Sequence, residues 1–262
     1  MRIARFSVET GSYGYGIVEG EPGREIVSAL HAHPLVEPAR LTGERYPLAE
    51  VNLGAPVVPS KVVCIGKNYA DHVEEMRRLG GAEAPKAPLL FLKPSTAVVG
   101  PGAPIVHPPD SERVDYEGEL AVVIGQVTRR VTPADALSRV FGYTCANDVT
   151  ARDQQHADGQ WTRGKGHDTF CPLGPWIETE LDPARTRVTT KLDGRTVQDA
   201  PTTALLFDVP SLVAYISDVM TLLPGDVILT GTPAGVGPMT AGQTVAVTVE
   251  HVGTLVNPVV AL

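Results

Sequence analysis

Long apolar runs, paired cysteines, aromatic clusters and an excess of positive charge are all missing from this chain of 262 residues. Its longest apolar stretches, residues 121–125 and 89–92, fall far short of the roughly 20 residues that span a bilayer, so no membrane partner is expected. Aromatic residues make up 5% of the chain, too few for base-stacking platforms. A formal net charge of −8 argues against phosphate-backbone binding and against anionic membrane surfaces, so no nucleic-acid partner is expected either. The three cysteines are an odd number without metal-type spacing, which fits a reducing cytoplasm. Residues 1–9 carry Arg2 and Arg5 and no apolar core, so the opening does not read as a signal peptide and a cytoplasmic location is expected. Neither a Gly-x-Ser-x-Gly elbow nor a His-Glu-x-x-His helix occurs, which excludes those hydrolase types. The glycine-rich stretch 229–237 lacks the Gly-Lys-Ser/Thr ending of a phosphate-binding loop.

Turn formers are abundant instead. With 26 glycines, 23 prolines and 43% hydrophobic residues, the chain is too turn-rich for a helical bundle and too apolar for disorder. Residues 1–59 alternate apolar and polar positions in short runs (2–8, 13–18, 25–30) and read as a small β-rich N-terminal domain, with a larger domain over 60–262. Within the latter, strands are expected over 61–65, 113–125, 141–148, 227–230 and 243–250. Asp193-Gly194 marks a hairpin turn between two alternating arms. Helices are expected over 68–79, with Asn68 and Asp71 in a capping-box-like arrangement and Gly80-Gly81 as the stop, over 133–140 and over 210–223. The expected class is mostly β (α+β).

The sharpest local feature is Asp115-Tyr116-Glu117-Gly118-Glu119, running into the apolar stretch 120–124. On a strand, residues two apart share a face, so Glu117 and Glu119 point the same way. Two half-buried carboxylates repel each other unless something neutralises them, and a hard cation such as Mg²⁺ or Mn²⁺ does so with oxygen ligands. A solvated sheet edge is the alternative. Asp148 follows the apolar run 141–147, where a strand ends; it suits either a ligand or a helix N-cap. His72 and Glu75 lie three apart on a helix, so a carboxylate can orient the imidazole as a general base, unless both simply face solvent. Arg152 and Gln155 share a helical face in the same way, and Lys165 sits in a glycine-flanked loop where it could meet an anionic substrate. His31 and His33 read as plain loop residues, and Cys64 and Cys145 as small core residues.

Taken in order, Gly66-Lys67-Asn68-Tyr69-Ala70-Asp71-His72, Lys93-Pro94-Ser95, Asp115-Tyr116-Glu117-Gly118-Glu119-Leu120, Asn147-Asp148-Val149-Thr150-Ala151-Arg152-Asp153, Lys165-Gly166-His167-Asp168-Thr169-Phe170 and Thr230-Gly231-Thr232-Pro233-Ala234-Gly235-Val236-Gly237 resemble the fumarylacetoacetate hydrolase family. Six ordered motifs from about residue 61 onward are far more specific than any one alone. The resemblance implies a mixed β-sandwich or β-roll of that family's C-terminal type, a homodimer, and a bound Mg²⁺ or Mn²⁺. It implies Glu117, Glu119 and Asp148 as metal ligands, and His72, Glu75 and Lys165 as catalytic residues. Arg152, Gln155 and Thr232 match substrate-contacting positions. Gly118 departs from relatives that carry a larger residue there, and is expected to loosen the strand locally.

The implied chemistry is coherent from below. A 2-oxo acid or β-diketo dicarboxylate offers two oxygens to one cation, which then stabilises the enolate formed when a neighbouring C–C or C–H bond breaks. His72 backed by Glu75 would activate water, making C–C hydrolysis of an acylpyruvate-type substrate in aromatic-compound catabolism the first reading. A 2-hydroxyhepta-2,4-diene-1,7-dioate isomerase or an oxaloacetate decarboxylase would use the same platform. A non-catalytic dicarboxylate-binding or structural protein is the reading from another class.

Overall fold

The computed structural model describes residues 1–8, 12–78 and 84–262. Five short strands come first: β1 (Arg2–Ser7), β2 (Gly14–Glu19), β3 (Ile26–Leu30), β4 (Leu41–Pro47) and β5 (Asn52–Gly54). They are followed by β6 (Val62–Gly66), α1 (Ala70–Arg78), β7 (Leu89–Lys93), β8 (Val98–Val99), β9 (Ile105–His107), β10 (Val114–Tyr116) and β11 (Gly118–Ile124). The middle of the chain forms α2 (Pro133–Ala136), β12 (Val140–Asn147), β13 (Thr150–Ala151), α3 (Arg152–Asp158), α4 (Thr162–Gly166) and β14 (Cys171–Glu178). The rest forms β15 (Arg187–Leu192), β16 (Arg195–Pro201), α5 (Val209–Val219), β17 (Val227–Leu229), β18 (Gly237–Pro238), β19 (Thr244–Val249) and β20 (Gly253–Ala261). The protein is mostly β, as the sequence implies. The expected helix stop at Gly80-Gly81 lies outside the described residues.

A 12-stranded sheet runs β4-β3-β2-β1-β14-β12-β11-β17-β6-β7, with β5 on β1 and β8 on β14. A five-stranded sheet, β16-β15-β19-β20-β9, and a three-stranded one, β13-β10-β18, complete the fold. The large sheet is buried on both faces because its central strands are apolar throughout. Leu120, Val122 and Ile124 of β11 pack with Leu212, Val213 and Ile216 of α5 and with Val247 and Val249 of β19. Ala121 and Val123, on the opposite face, pack with Ile3, Val62, Cys64, Val227 and Leu229. The side chains alternate with the two-residue period of the strand. The Asp193-Gly194 turn joins β15 to β16 with φ of 49° and 80°, the left-handed pair that a tight hairpin requires.

Several local expectations are corrected. The 113–125 run is broken at Glu117 into β10 and β11, which belong to different sheets. Residues 171–178 form a central strand in spite of Pro172 and Pro175; a register irregularity against β12, between Tyr143 and Cys145, accommodates them. Asn68 does not cap α1. Its carboxamide donates to Phe207 O (3.0 Å) and Thr230 O (2.7 Å) and accepts from Phe207 N (2.8 Å), pinning the entry of the helix to two distant loops. Lys165 sits on the short helix α4, not in a loop. No helix among the described residues is long and apolar enough to cross a membrane.

Candidate functional site

The start of β11 and the ends of β12, β17 and β6 meet at one end of the large sheet, as their pairing registers require. Glu117 and Glu119 flank Gly118 at the first of these positions, and Asp148 follows β12. All three carboxylates are buried, and one oxygen from each lies within 4.8 Å of the others. The shared-face reading of Glu117 and Glu119 therefore holds, and the solvated-edge alternative does not. The N-cap alternative for Asp148 fails too, because α3 starts at Arg152 with Ala151 at its cap and no side-chain cap bond.

Buried cations surround this group. Lys165 Nζ lies 2.9 Å from Glu117 Oε2 and 2.6 Å from Asp148 Oδ2. Arg152 donates through Nη2 to Glu117 Oε1 (2.5 Å), through Nε to Asp115 Oδ2 (2.8 Å) and through Nη1 to Gln155 Oε1 (2.7 Å). Lys93 Nζ donates to the carbonyls of Val149, Lys165 and Phe170 at 2.9, 2.6 and 2.8 Å, and lies 2.9 Å from Asp148 Oδ1. Its three protons are spent on those carbonyls, so Asp148 Oδ1 has charge nearby but no hydrogen bond among the described residues.

The charges pair unevenly. Asp115 is held by Arg113 and Arg152, Glu117 by Arg152 and Lys165, and Asp148 by Lys165 and Lys93, whereas Glu119 has no ion-pair partner among the described residues. Burial raises the proton affinity of Glu117, but Lys165 and Arg152 outweigh it and hold this carboxyl below the usual carboxylate range. Glu119 has no such partner. Burial, then Asp148 and Glu117, push its carboxyl well above that range, against one backbone bond from Gly231 N to Oε2 at 2.5 Å. Glu119 is thus the one carboxyl of the four that lacks a cationic partner among the described residues. Gly231 reaches this bond with φ of 103° and with Asn68 Cβ only 2.7 Å from where its own Cβ would be, so no side chain fits there.

These residues fit a hard divalent cation. The donor set is all carboxylate oxygen, one member lacks a cationic partner among the described residues, and Asp148 keeps a buried oxygen without a hydrogen bond to any of them. Mg²⁺ and Mn²⁺ favour such ligands, and no cysteine or histidine joins the described group.

The carboxylates form the floor of a cavity of about 290 Å³, lined also by His72, Arg152, Gln155, Lys165 and Thr232. That volume is near the lower end for small-molecule sites. All nine residues singled out from the sequence except Glu75 line it. Glu75 stands behind His72: its Oε2 is 3.2 Å from His72 Nδ1, and its carboxylate accepts from Gly235 N at 3.1–3.2 Å. The imidazole is thereby fixed through one nitrogen, leaving Nε2 for chemistry. Arg152 reaches the cavity, yet its guanidinium is tied to three protein side chains. The Thr232 hydroxyl donates to Gly118 O (2.9 Å) and accepts from Gln198 Nε2 (2.8 Å), so it too is engaged by the fold.

Sequence reasoning passed over Asp115, Lys93 and Gln198. Gln198 accepts from Gly118 N (3.0 Å) and donates to Pro233 O (2.8 Å), tying β11 to the 230–237 loop. Lys93 and Asp115 stand in the quoted motifs, which was the available signal; Gln198 had none. Gly118, expected to loosen its strand, instead fits a slot too narrow for any side chain: an added Cβ would lie 2.0 Å from Thr190 Oγ1.

Residues 61–260 match the family model described as fumarylacetoacetate (FAA) hydrolase C-terminal, and residues 1–56 the one described as Rv2993c-like, N-terminal. The structure is similar to that of a 2-hydroxyhepta-2,4-diene-1,7-dioate isomerase from Mycobacterium marinum, with a TM-score of 0.91, 48% identity and coverage of 100% of this chain and 98% of that one. It is also similar to a maleylpyruvate hydrolase from Sphingobium sp. SYK-6 in complex with manganese(II) and pyruvate, with a TM-score of 0.79, 32% identity and coverage of 100% and 99%. Among relatives, the mitochondrial oxaloacetate tautomerase Fahd2a of Rattus norvegicus is 41% identical over 82% of this chain and 71% of its own length.

Proposed function

This chain belongs to the fumarylacetoacetate hydrolase family, and from that premise we propose that it is a divalent-metal-dependent enzyme that moves a small 2-oxo dicarboxylate through its enolate, with keto–enol isomerisation as the net reaction. One observation carries the reading: a histidine oriented by a carboxylate shares a cavity with three clustered buried carboxylates. Glu117, Glu119 and Asp148 would hold the cation. Bound there, Mg²⁺ or Mn²⁺ supplies Lewis acidity for the 2-oxo group. His72 takes a proton from the carbon beside that group and returns it to the oxygen or to a conjugated carbon, while Glu75 stabilises the transient imidazolium. Lys165 holds Glu117 and Asp148 in place, and Arg152 holds Glu117. Gln155, whose amide nitrogen donates to no described residue, is free to donate to substrate. Thr232 contributes position, since its hydroxyl is engaged.

The order of the two leading reactions differs from the sequence-based expectation. The isomerase relative is 48% identical, the tautomerase 41%, and two hydrolases 39% and 32%. C–C hydrolysis of an acylpyruvate remains the second reading, favoured by the His72–Glu75 pair, which is equally suited to water activation. Assays with Mg²⁺ on the enol form of oxaloacetate, on hydroxymuconate-type dienes and on acylpyruvates separate them. Isomerised product without cleavage supports the first reading; pyruvate release from an acylpyruvate at a higher kcat/KM overturns it in favour of the second.

A further inference from the structure

Three cationic side chains line the cavity, and two of them are spent. Arg152 and Lys165 are paired with Asp115, Glu117 and Asp148. The third, Lys67, is half-buried and makes no hydrogen bond or ion pair with any described residue. Its backbone is unusual. Lys67 holds φ of 59°, a left-handed conformation that costs a lysine free energy and persists only where its neighbours enforce it. They do so here: Gly66 is paired with Leu89 in the sheet, and Asn68 is tied by three hydrogen bonds to Phe207 and Thr230. A strained residue fixed on both sides aims a charged side chain at a site. The walls of the same cavity include Ile65 and the edge-to-face pair Phe91 and Trp161, whose ring centroids are 5.1 Å apart. Such walls suit the carbon backbone of a short substrate and strengthen a charge pair by limiting water.

We propose that Lys67 binds the substrate carboxylate distal to the 2-oxo group and thereby selects dicarboxylates over monocarboxylates. The inference rests on the 2-oxo-acid reading above and names its specificity residue. Lys67 is a binding residue here; the proton transfer stays with His72.

The test measures Mg²⁺-supported binding of 2-oxoglutarate and of 2-oxobutanoate, which share the 2-oxo acid head and differ in the distal carboxylate. The native protein should prefer 2-oxoglutarate by roughly tenfold or more, the size of one charge-assisted hydrogen bond. Lys67→Met and Lys67→Gly should both lose that preference while binding 2-oxobutanoate as before, and Lys67→Arg should keep most of it. In turnover of oxaloacetate the loss should appear in KM more than in kcat. Lys67→Gly suits the positive φ, so its melting temperature should equal or exceed that of the native chain, which separates a lost contact from a lost fold. An unchanged preference in Lys67→Met, or no preference in the native protein, overturns the role of Lys67 and leaves the 2-oxo-acid reading standing. Failure of the native protein to bind either acid overturns both.

Discussion

Gly118 and Thr190 compete for one slot between β11 and β15: a Cβ on the glycine would stand 2.0 Å from the threonine Oγ1. Glu117 and Glu119 flank this glycine, so any relief of the clash moves them. Gly118→Ala should destabilise the fold by about 1–3 kcal/mol, the usual cost of overpacking, and weaken Mn²⁺ binding as well. The Thr190 hydroxyl is buried without a partner among the described residues, so Thr190→Ala should itself cost little. Combined, the two substitutions should be less harmful than their sum. Denaturant unfolding of the four chains measures the coupling; strict additivity would show that the slot is not shared.

What the sequence revealed of this arrangement followed from short-range geometry. Two-residue spacing suggested that Glu117 and Glu119 lie together, which they do although the strand breaks at Glu117, and the helical spacing of three put Glu75 behind His72. Asp148 stayed ambiguous between ligand and cap because the two-residue strand β13 that separates it from α3 is too short to leave a pattern. Strand β14 was hidden by its prolines. Lys93 and Gln198 act through partners 34–80 residues away, and Asp115 meets Arg152 37 residues on, so spacing within one segment carries no trace of these contacts. The N-terminal strands were legible from their alternation, but not that β1 would pair with β14 and extend the large sheet.

His72→Ala should lower turnover by roughly 10²- to 10⁴-fold, the range for removing a general base, while leaving Mn²⁺ affinity unchanged, since His72 is not among the clustered carboxylates. Glu75→Gln should have a smaller effect, because the amide oxygen can still accept from Gly235 N while the negative charge behind the imidazole is gone. Steady-state kinetics together with manganese titration by electron paramagnetic resonance checks both. Full turnover in His72→Ala would remove His72 from the chemistry.

Glu119→Gln should act oppositely on two observables. In chelator-treated protein it removes the one buried carboxylate that lacks a cationic partner among the described residues, so the melting temperature should hold or rise. Added Mg²⁺ should then give little stabilisation. The native chain should gain about 2.7 kcal/mol at a hundredfold excess over its dissociation constant. Thermal scans with and without Mg²⁺ decide the matter: equal metal-dependent stabilisation of the two chains would place the cation away from Glu119.

A pH dependence should arise far from the cavity, at His33. Its ring packs edge-on against Tyr15, with centroids 4.7 Å apart, and lies 5.5 Å from Phe141. Nδ1 accepts from Leu35 N at 2.9 Å, so the ring proton sits on Nε2, which is buried without a partner among the described residues. Burial pulls the pKa down from 6.5 to about 4. Above the ordinary histidine range the ring is neutral in folded and unfolded chains alike, and titration adds nothing. As pH falls from 6.5 towards 4 the unfolded chain takes up a proton that the folded chain refuses, so stability declines through that window. His33→Asn retains an acceptor for Leu35 N–H and cannot be protonated there, so its stability should fall less steeply over the same range. Urea unfolding from pH 7 to pH 4.5 or so compares the two slopes. Parallel slopes would assign the acid sensitivity to groups other than His33.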